Sequence, residues 1–211
     1  MTFSIAALDP TTGEIGVAVA TKNLAVGSAV PWARAGVGAI ATQAQSNVEF
    51  GPAGLDLLES GLGPEEALDR LIASDGGRAH RQVGILDAHG RTAAWTGDGG
   101  PDWAGHVMGD GYACQGNILT GPQVIDALAS AFEAAEGPLP ERMMAGLEAA
   151  QAAGGDSRGR QSSAIYIAKA DSGRHGRPDR YIDLRVDDHT DPIPELKRLL
   201  ALHREKFSQS A

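Results

Sequence analysis

The 211-residue chain is 42% hydrophobic and carries a formal net charge of −9, from 18 Lys and Arg against 27 Asp and Glu. That apolar share excludes a disordered chain, and the acidic balance excludes the basic face with which a nucleic-acid reader grips phosphates. The single cysteine, Cys114, excludes an intrachain disulfide and a cysteine-rich metal cluster, and no apolar stretch approaches the ~20 residues of a membrane span.

The N-terminus, Met1-Thr2-Phe3-Ser4-Ile5, lacks the basic and apolar regions of a signal peptide, so a soluble, cytoplasmic protein is expected. Thr2 to Leu8 reads as a short strand. Asp9-Pro10-Thr11-Thr12-Gly13 is turn chemistry, because Pro presets φ and Gly supplies a positive φ. Glu14 to Thr21 then alternates as a second strand, so the chain opens on a β-hairpin. Val37 to Gln45 predicts a third strand whose small residues imply close cover. Two helices follow, over Pro52 to Glu59 and Pro64 to Ala73, the second with Pro and two acids in its first turn.

Strands return with Gln82 to Asp87 and Arg91 to Thr96, joined at His89-Gly90, and with Ala104 to Met108 and Tyr112 to Leu119. Pro122 to Glu136 carries Val124, Ile125, Leu128 and Phe132 at helical spacing. A second helix over Pro140 to Ala153 stops at Gly154-Gly155. Ser162 to Ala168 and Arg180 to Val186 are the last strands, separated by a polar stretch, Asp171 to Asp179, that predicts an exposed loop. The final helix, Pro194 to Phe207, turns Leu196, Leu199, Leu200 and Leu202 inward. Tight turns between paired strands, with helices arriving in pairs, predict one α+β domain: a four-layer α-β-β-α sandwich of two stacked, mainly antiparallel sheets.

Other signals carry no chemistry. Gly36-Val37-Gly38-Ala39-Ile40-Ala41 matches a dinucleotide fingerprint only loosely and enters a strand instead of a helix. There is no G-x-S-x-G elbow, phosphate loop or H-E-x-x-H, and the six histidines lack ligand spacing. No metal and no cofactor are expected. Cys114, within a strand, reads as a buried structural thiol.

Several segments resemble one bacterial family in the same order along nearly the whole chain. They are Thr2-Phe3-Ser4-Ile5-Ala6, Asp9 to Glu14, Gly36-Val37-Gly38-Ala39, Ala41-Thr42-Gln43, Gln115-Gly116-Asn117 and Gly154-Gly155-Asp156-Ser157-Arg158-Gly159. The family is DUF1028, an uncharacterised group placed with the N-terminal-nucleophile (Ntn) hydrolases, whose fold is an α-β-β-α sandwich. The resemblance implies an amidohydrolase whose nucleophile is the first residue of the mature chain. Here that is Thr2 after removal of Met1. A free α-amine of pKa about 7.7–8.0 takes the hydroxyl proton of its own residue, so nucleophile and base share one amino acid. The other reading of Thr2 is a β-branched residue that begins an edge strand.

Asn117 would supply the oxyanion contact, or else close a turn. Gln115, Gln43 and Asn47, with Thr42 and Gln45 near them, would hydrogen-bond an amide-bearing substrate, or are ordinary strand-exit polar residues. Lys22 would lower a neighbouring amine's pKa through its charge, or is a solvated strand end. In the run Gly154 to Ser163, Asp156 and Ser157 would orient the amine, and Arg158 or Arg160 would grip a carboxylate; the alternative is a helix cap and turn. The expected partner is therefore a small amide-containing or anionic ligand. The rival to an enzyme is a non-catalytic binding or assembly protein with the same sandwich, and sandwiches of this kind associate through their helices into homo-oligomers.

Overall fold

A computed structural model describes residues 2–100, 103–172 and 179–207. The loop expected between 171 and 179 falls mostly outside the described residues. Strands β1 (Thr2–Asp9) and β2 (Glu14–Thr21) form the opening hairpin in the order expected. The Asp9 carboxylate accepts the Thr11 and Thr12 amides, and Gly13 takes φ +71°, so the turn is specified locally. Next come β3 (Pro31–Arg34), β4 (Gly38–Ala44), α1 (Phe50–Glu59), α2 (Pro64–Ser74), β5 (Arg81–Asp87), β6 (Thr92–Thr96), β7 (Ala104–Gly109) and β8 (Tyr112–Asn117). The chain continues through α3 (Gln123–Ala134), α4 (Leu139–Ala152), β9 (Ser162–Ala168), β10 (Arg180–Val186) and α5 (Pro192–Phe207).

All pairings are antiparallel. Six strands form one sheet in the order β10-β9-β2-β1-β8-β7, and four form the other in the order β3-β4-β5-β6. Helices α3, α4 and α5 cover the outer face of the larger sheet, where Phe3, Ile5, Cys114 and Ile165 meet Leu128, Phe132, Leu147 and Leu196. Helices α1 and α2 cover the smaller sheet, with Ile40, Val83 and Ile85 against Phe50, Leu55 and Leu71. The inner faces meet through Ala6, Leu8, Ile15, Val17, Val19, Ala39, Ala41 and Leu86. The result is the four-layer arrangement that the element order predicts. No helix among the described residues is long and apolar enough to cross a membrane.

Two details differ from the sequence expectation. Strand β3 was not foreseen: it is four residues long, opens with proline and lies at a sheet edge, where proline costs no ladder bond. Leu202 is 46% exposed instead of inward-facing. In α5, Ile193, Leu196 and Leu200 already occupy one face at i, i+3, i+7, and position 202 lies well round the helix from it.

Candidate functional site

Side chains alternate along each strand, so every second residue faces the opposite sheet. On β1 those residues are Leu8, Ala6, Ser4 and Thr2, apolar at one end and polar at the other. The same change recurs on β2 from Ile15, Val17 and Val19 to Thr21, on β4 from Ala39 and Ala41 to Gln43, and on β5 from Leu86 and Gly84 to Gln82. On β8 it runs from Ala113 to Gln115 and Asn117. Antiparallel pairing puts all the polar ends together, with Thr2 opposite Asn117, Ser4 opposite Gln115 and Gln43 opposite Gln82.

These groups are almost wholly buried and form one network. Gln115 Nε2 donates to Ser4 Oγ (2.6 Å), and Ser4 Oγ donates to Gln43 Oε1 (2.7 Å). Gln43 Nε2 donates to Gln82 Oε1 (2.8 Å), and Gln82 Nε2 donates to Thr96 Oγ1 (2.9 Å). Thr96 Oγ1 lies 2.9 Å from His106 Nδ1. Partial desolvation lowers the His106 pKa and so favours the neutral ring, whose tautomer decides which of the two groups donates. From Gln115 to Thr96 the donors all run one way, an arrangement in which successive bonds polarise one another.

Gln82 is the hub. Its Nε2 also lies 2.8 Å from Gly116 O and 3.1 Å from Gly105 O, which fixes that end as the donor. Its Oε1 therefore faces Asn117 and accepts Asn117 Nδ2 at 2.9 Å. Asn117 Oδ1 and Gln115 Oε1 are left buried without a hydrogen-bond partner. An unpaired buried acceptor costs about 1–3 kcal/mol, so the site holds polarity that folding alone does not use. Gly84 makes room for this layer, since a Cβ there would sit 2.0 Å from Gln115 Oε1.

Thr2 heads β1 and is 4% exposed. Its Oγ1 donates to Thr21 Oγ1 at 3.2 Å, and its carbonyl accepts Gln43 Nε2 at 3.3 Å. Next to it, at the same edge of the sandwich, opens a cavity of about 300 Å³. Gln82 and Asn117 line it, together with Arg81, Thr96 and small residues that include Gly97 and Gly99. A Cβ on Gly97 would lie 2.3 Å from Ala79 O, and one on Gly99 2.6 Å from His80 Cε1, so this wall exists only because glycine stands there. Ala44 and Ile118, which also line the cavity, have φ of +69° and +52°. The left-handed region is costly for a β-branched residue, by about 1–3 kcal/mol, and such strain concentrates at ligand sites.

Asp156, Ser157, Arg158 and Lys22 form a second group beside the first. The buried Asp156 carboxylate accepts the backbone amides of Lys22 (2.8 Å) and Arg158 (2.9 Å) and meets Arg158 Nη2 at 3.3 Å. Ser157 is exposed, and its amide donates to the carbonyl of the strained Ile118. The Gln161 amide donates to Thr21 O, whose residue touches Thr2. Arg160 is drawn off to Asp191 at 2.7 Å.

Asn47 stands apart from the amide layer. Its Nδ2 donates to Asp75 Oδ2 (3.2 Å), and its Oδ1 accepts the Glu49 amide as α1 begins. Arg81, with its Nε 2.7 Å from Asp75, holds that carboxyl down at a pKa of about 2. Of the residues singled out in the sequence, the structure brings Thr2, Gln43, Gln115 and Asn117 together, and it adds Ser4, Gln82 and Thr96, which the sequence reading does not single out. Their only signal is a polar residue at an inward position next to a strand terminus.

The family model for DUF1028, a family of unknown function, matches residues 2–196. A comparison with curated proteins returns no match. Among solved structures, the crystal structure of a DUF1028 protein from Silicibacter pomeroyi superposes with a TM-score of 0.88 at 36% identity. The likeness covers 96% of this chain and 86% of that one. The chain belongs to the DUF1028 family.

Proposed function

We propose that the polar end of the inter-sheet space is the active site of an Ntn-type amidohydrolase, with Thr2 as nucleophile once Met1 is removed. The observation that carries this reading is the place of Thr2. It is the first residue of an interior strand, its hydroxyl lies within the polar layer, and it stands cross-strand from an asparagine with an unpaired amide oxygen. Among structural roles, an edge-strand start is the one this position does not fill, since β1 lies between β2 and β8.

In this mechanism the α-amine of Thr2 takes the proton from Oγ1, which attacks the amide carbonyl. One Nδ2 proton of Asn117 is engaged by Gln82, and the other serves the oxyanion of the tetrahedral intermediate. The α-ammonium then gives its proton to the departing nitrogen as the C–N bond breaks. The ester left on Oγ1 is cleaved by water, with the amine as base again. Gln43 and Gln115 fix the amide layer, Asp156 with Lys22 and Arg158 braces the adjoining loop, and Ser157 holds Ile118.

A second reading has its own support: Asn117 and Gln82 line the cavity and Thr2 does not. A non-catalytic protein could hold its ligand against Asn117 without using the threonine. Mass spectrometry of untagged protein, followed by incubation with a β-lactone that acylates hydroxyl nucleophiles, separates the two. The hydrolase reading expects a chain that starts at Thr2 and gains one acyl group there, with none on Thr2→Ala. A native chain that keeps Met1, or acylation indifferent to Thr2→Ala, leaves the binding reading standing alone.

A further inference from the structure

We infer that the outer edge of β10 pairs with the same edge of a second copy of this chain, making a two-fold dimer that joins the two large sheets. The inference is independent of the chemistry at the polar end. β10 is the outermost strand of the six-stranded sheet, and among the described residues no strand pairs with its far side. The smaller sheet ends at β3, which lies over β9, where Tyr166 Oη donates to Ala33 O at 3.2 Å. β10 therefore projects past it. The opposite edge is tied down, since Thr96 and His106 link β7 to β6 of the smaller sheet. An open antiparallel edge is a template for another strand, and native proteins blunt or cover it.

The residues of β10 are complementary to themselves. Leu184 lies opposite Ile165 on the face that α5 covers, and Asp183 and Arg185 lie opposite Tyr166 and Ala164 on the other face. Let two copies of 182–186 run antiparallel about Leu184. Asp183 of each copy then faces Arg185 of the other, Ile182 faces Val186, and Leu184 faces its own counterpart. A centre on Asp183 sets that carboxylate against itself, and one on Arg185 sets two guanidiniums together, so charge selects a single register. Asp183 and Arg185 are now held by Arg180 (2.6 Å) and Asp187 (3.0 Å) along their own strand, in solvent-facing pairs weak enough to exchange. The segment also stops short of the bulge between Arg180 and Ile182.

The helix above the strand agrees. A two-fold axis normal to the sheet keeps the outer faces of both copies on one side, so their α5 helices become neighbours. Helix α5 packs over β9 and β10 alike. With strands ~4.8 Å apart, the two helix axes come to ~10 Å, the spacing of packed helices. Lys197 and Arg204 of α5 reach Glu148 and Glu141 of α4, which lies over β1 and β2. The other flank of α5, with Leu199, Leu202 and Lys206, therefore faces the outer edge. There Leu184, Leu199, Leu202 and Phe207 line an open groove of about 540 Å³. The outward Leu202 thus gains an apolar partner from the second copy.

Sedimentation of untagged protein at micromolar concentrations tests this. The wild type should sediment at twice the 21.8 kDa chain mass. Asp183→Arg sets like charges opposite each other at two symmetric places and should weaken the dimer about tenfold or more. Adding Arg185→Asp reverses both signs, restores the match and should bring the affinity back to within about threefold of wild type. Should Asp183→Arg fold poorly, Arg185→Asp alone creates the same mismatch. Leu202→Glu, a change at an exposed position, should also weaken the dimer about tenfold.

A wild type that stays monomeric, a dimer indifferent to both charge reversals, or a double variant as weak as the single ones overturns the proposal. Weakening by Leu202→Glu alone would place the contact on the helices without the strands, and overturns it as well.

Discussion

The two ends of the inter-sheet space are built from the same strands and follow opposite rules. At one end Leu8, Ile15, Val17 and Leu86 fill the gap by close packing. At the other, amides and hydroxyls of Ser4, Gln43, Gln82, Gln115 and Asn117 fill it by hydrogen bonding. The apolar end is complete, whereas the polar end keeps two unpaired oxygens, two strained residues in its wall and an adjoining cavity. Packing at the first end gives the sandwich its stability, and incompleteness at the second is what motivates the proposed functional site.

Mutations can break this contrast. Leu86→Ala should have the largest effect, a loss of about 3–5 kcal/mol in denaturant unfolding, because the dry space it leaves admits neither side chain nor water. Gln82→Leu comes next, at about 3 kcal/mol, since a leucine of similar size excludes water while stranding Asn117 Nδ2 and the Gly116 carbonyl. Gln82→Ala should cost only about 1–2 kcal/mol, as water from the neighbouring cavity can replace the missing amide. An alanine variant less stable than the leucine one would mean that this end is packed like the other.

Acid should act beside the polar end through Asp75. Its folded pKa of about 2 lies below the ordinary 3.8, so the carboxylate stabilises the fold above about pH 4. That contribution is lost as pH falls from about 4 towards 2. Asp75→Asn should flatten this limb of the stability profile, and an unchanged acid limb would show that the Arg81 pair contributes nothing. The smallest effect is expected for Asn117→Leu, within about 1 kcal/mol of the wild type, because it removes one hydrogen bond together with one unpaired oxygen. A large loss of stability there would make Asn117 a structural residue and count against the proposed role in the active site.

Much of the polar end was legible because its residues interrupt alternating apolar strands. Gln43 ends the inward series begun by Ala39 and Ala41, and Gln115 and Asn117 end that of β8. Gln82 was not legible as the hub, although it stands at an inward position near the start of β5. A lone glutamine at a strand terminus reads as solvated until its register partner is known, and that partner, Gln43, is brought opposite by pairing between distant segments. Asn47 shows the converse. It is close to Gln43 in sequence, yet the start of α1 turns it to Asp75.

The sequence by itself determined the elements other than β3, the opening hairpin and its turn, and which face of those strands is apolar, because periodicity and turn chemistry act between neighbours along the chain. Only the tertiary structure decided that β9 lies beside β2 and β8 beside β1, and so gathered five separate polar strand ends into one buried layer. Each of those ends alone would have been left to water. Together they satisfy nearly all of one another's hydrogen bonds, and what they leave unsatisfied is a property of the assembled sheets that no single segment carries.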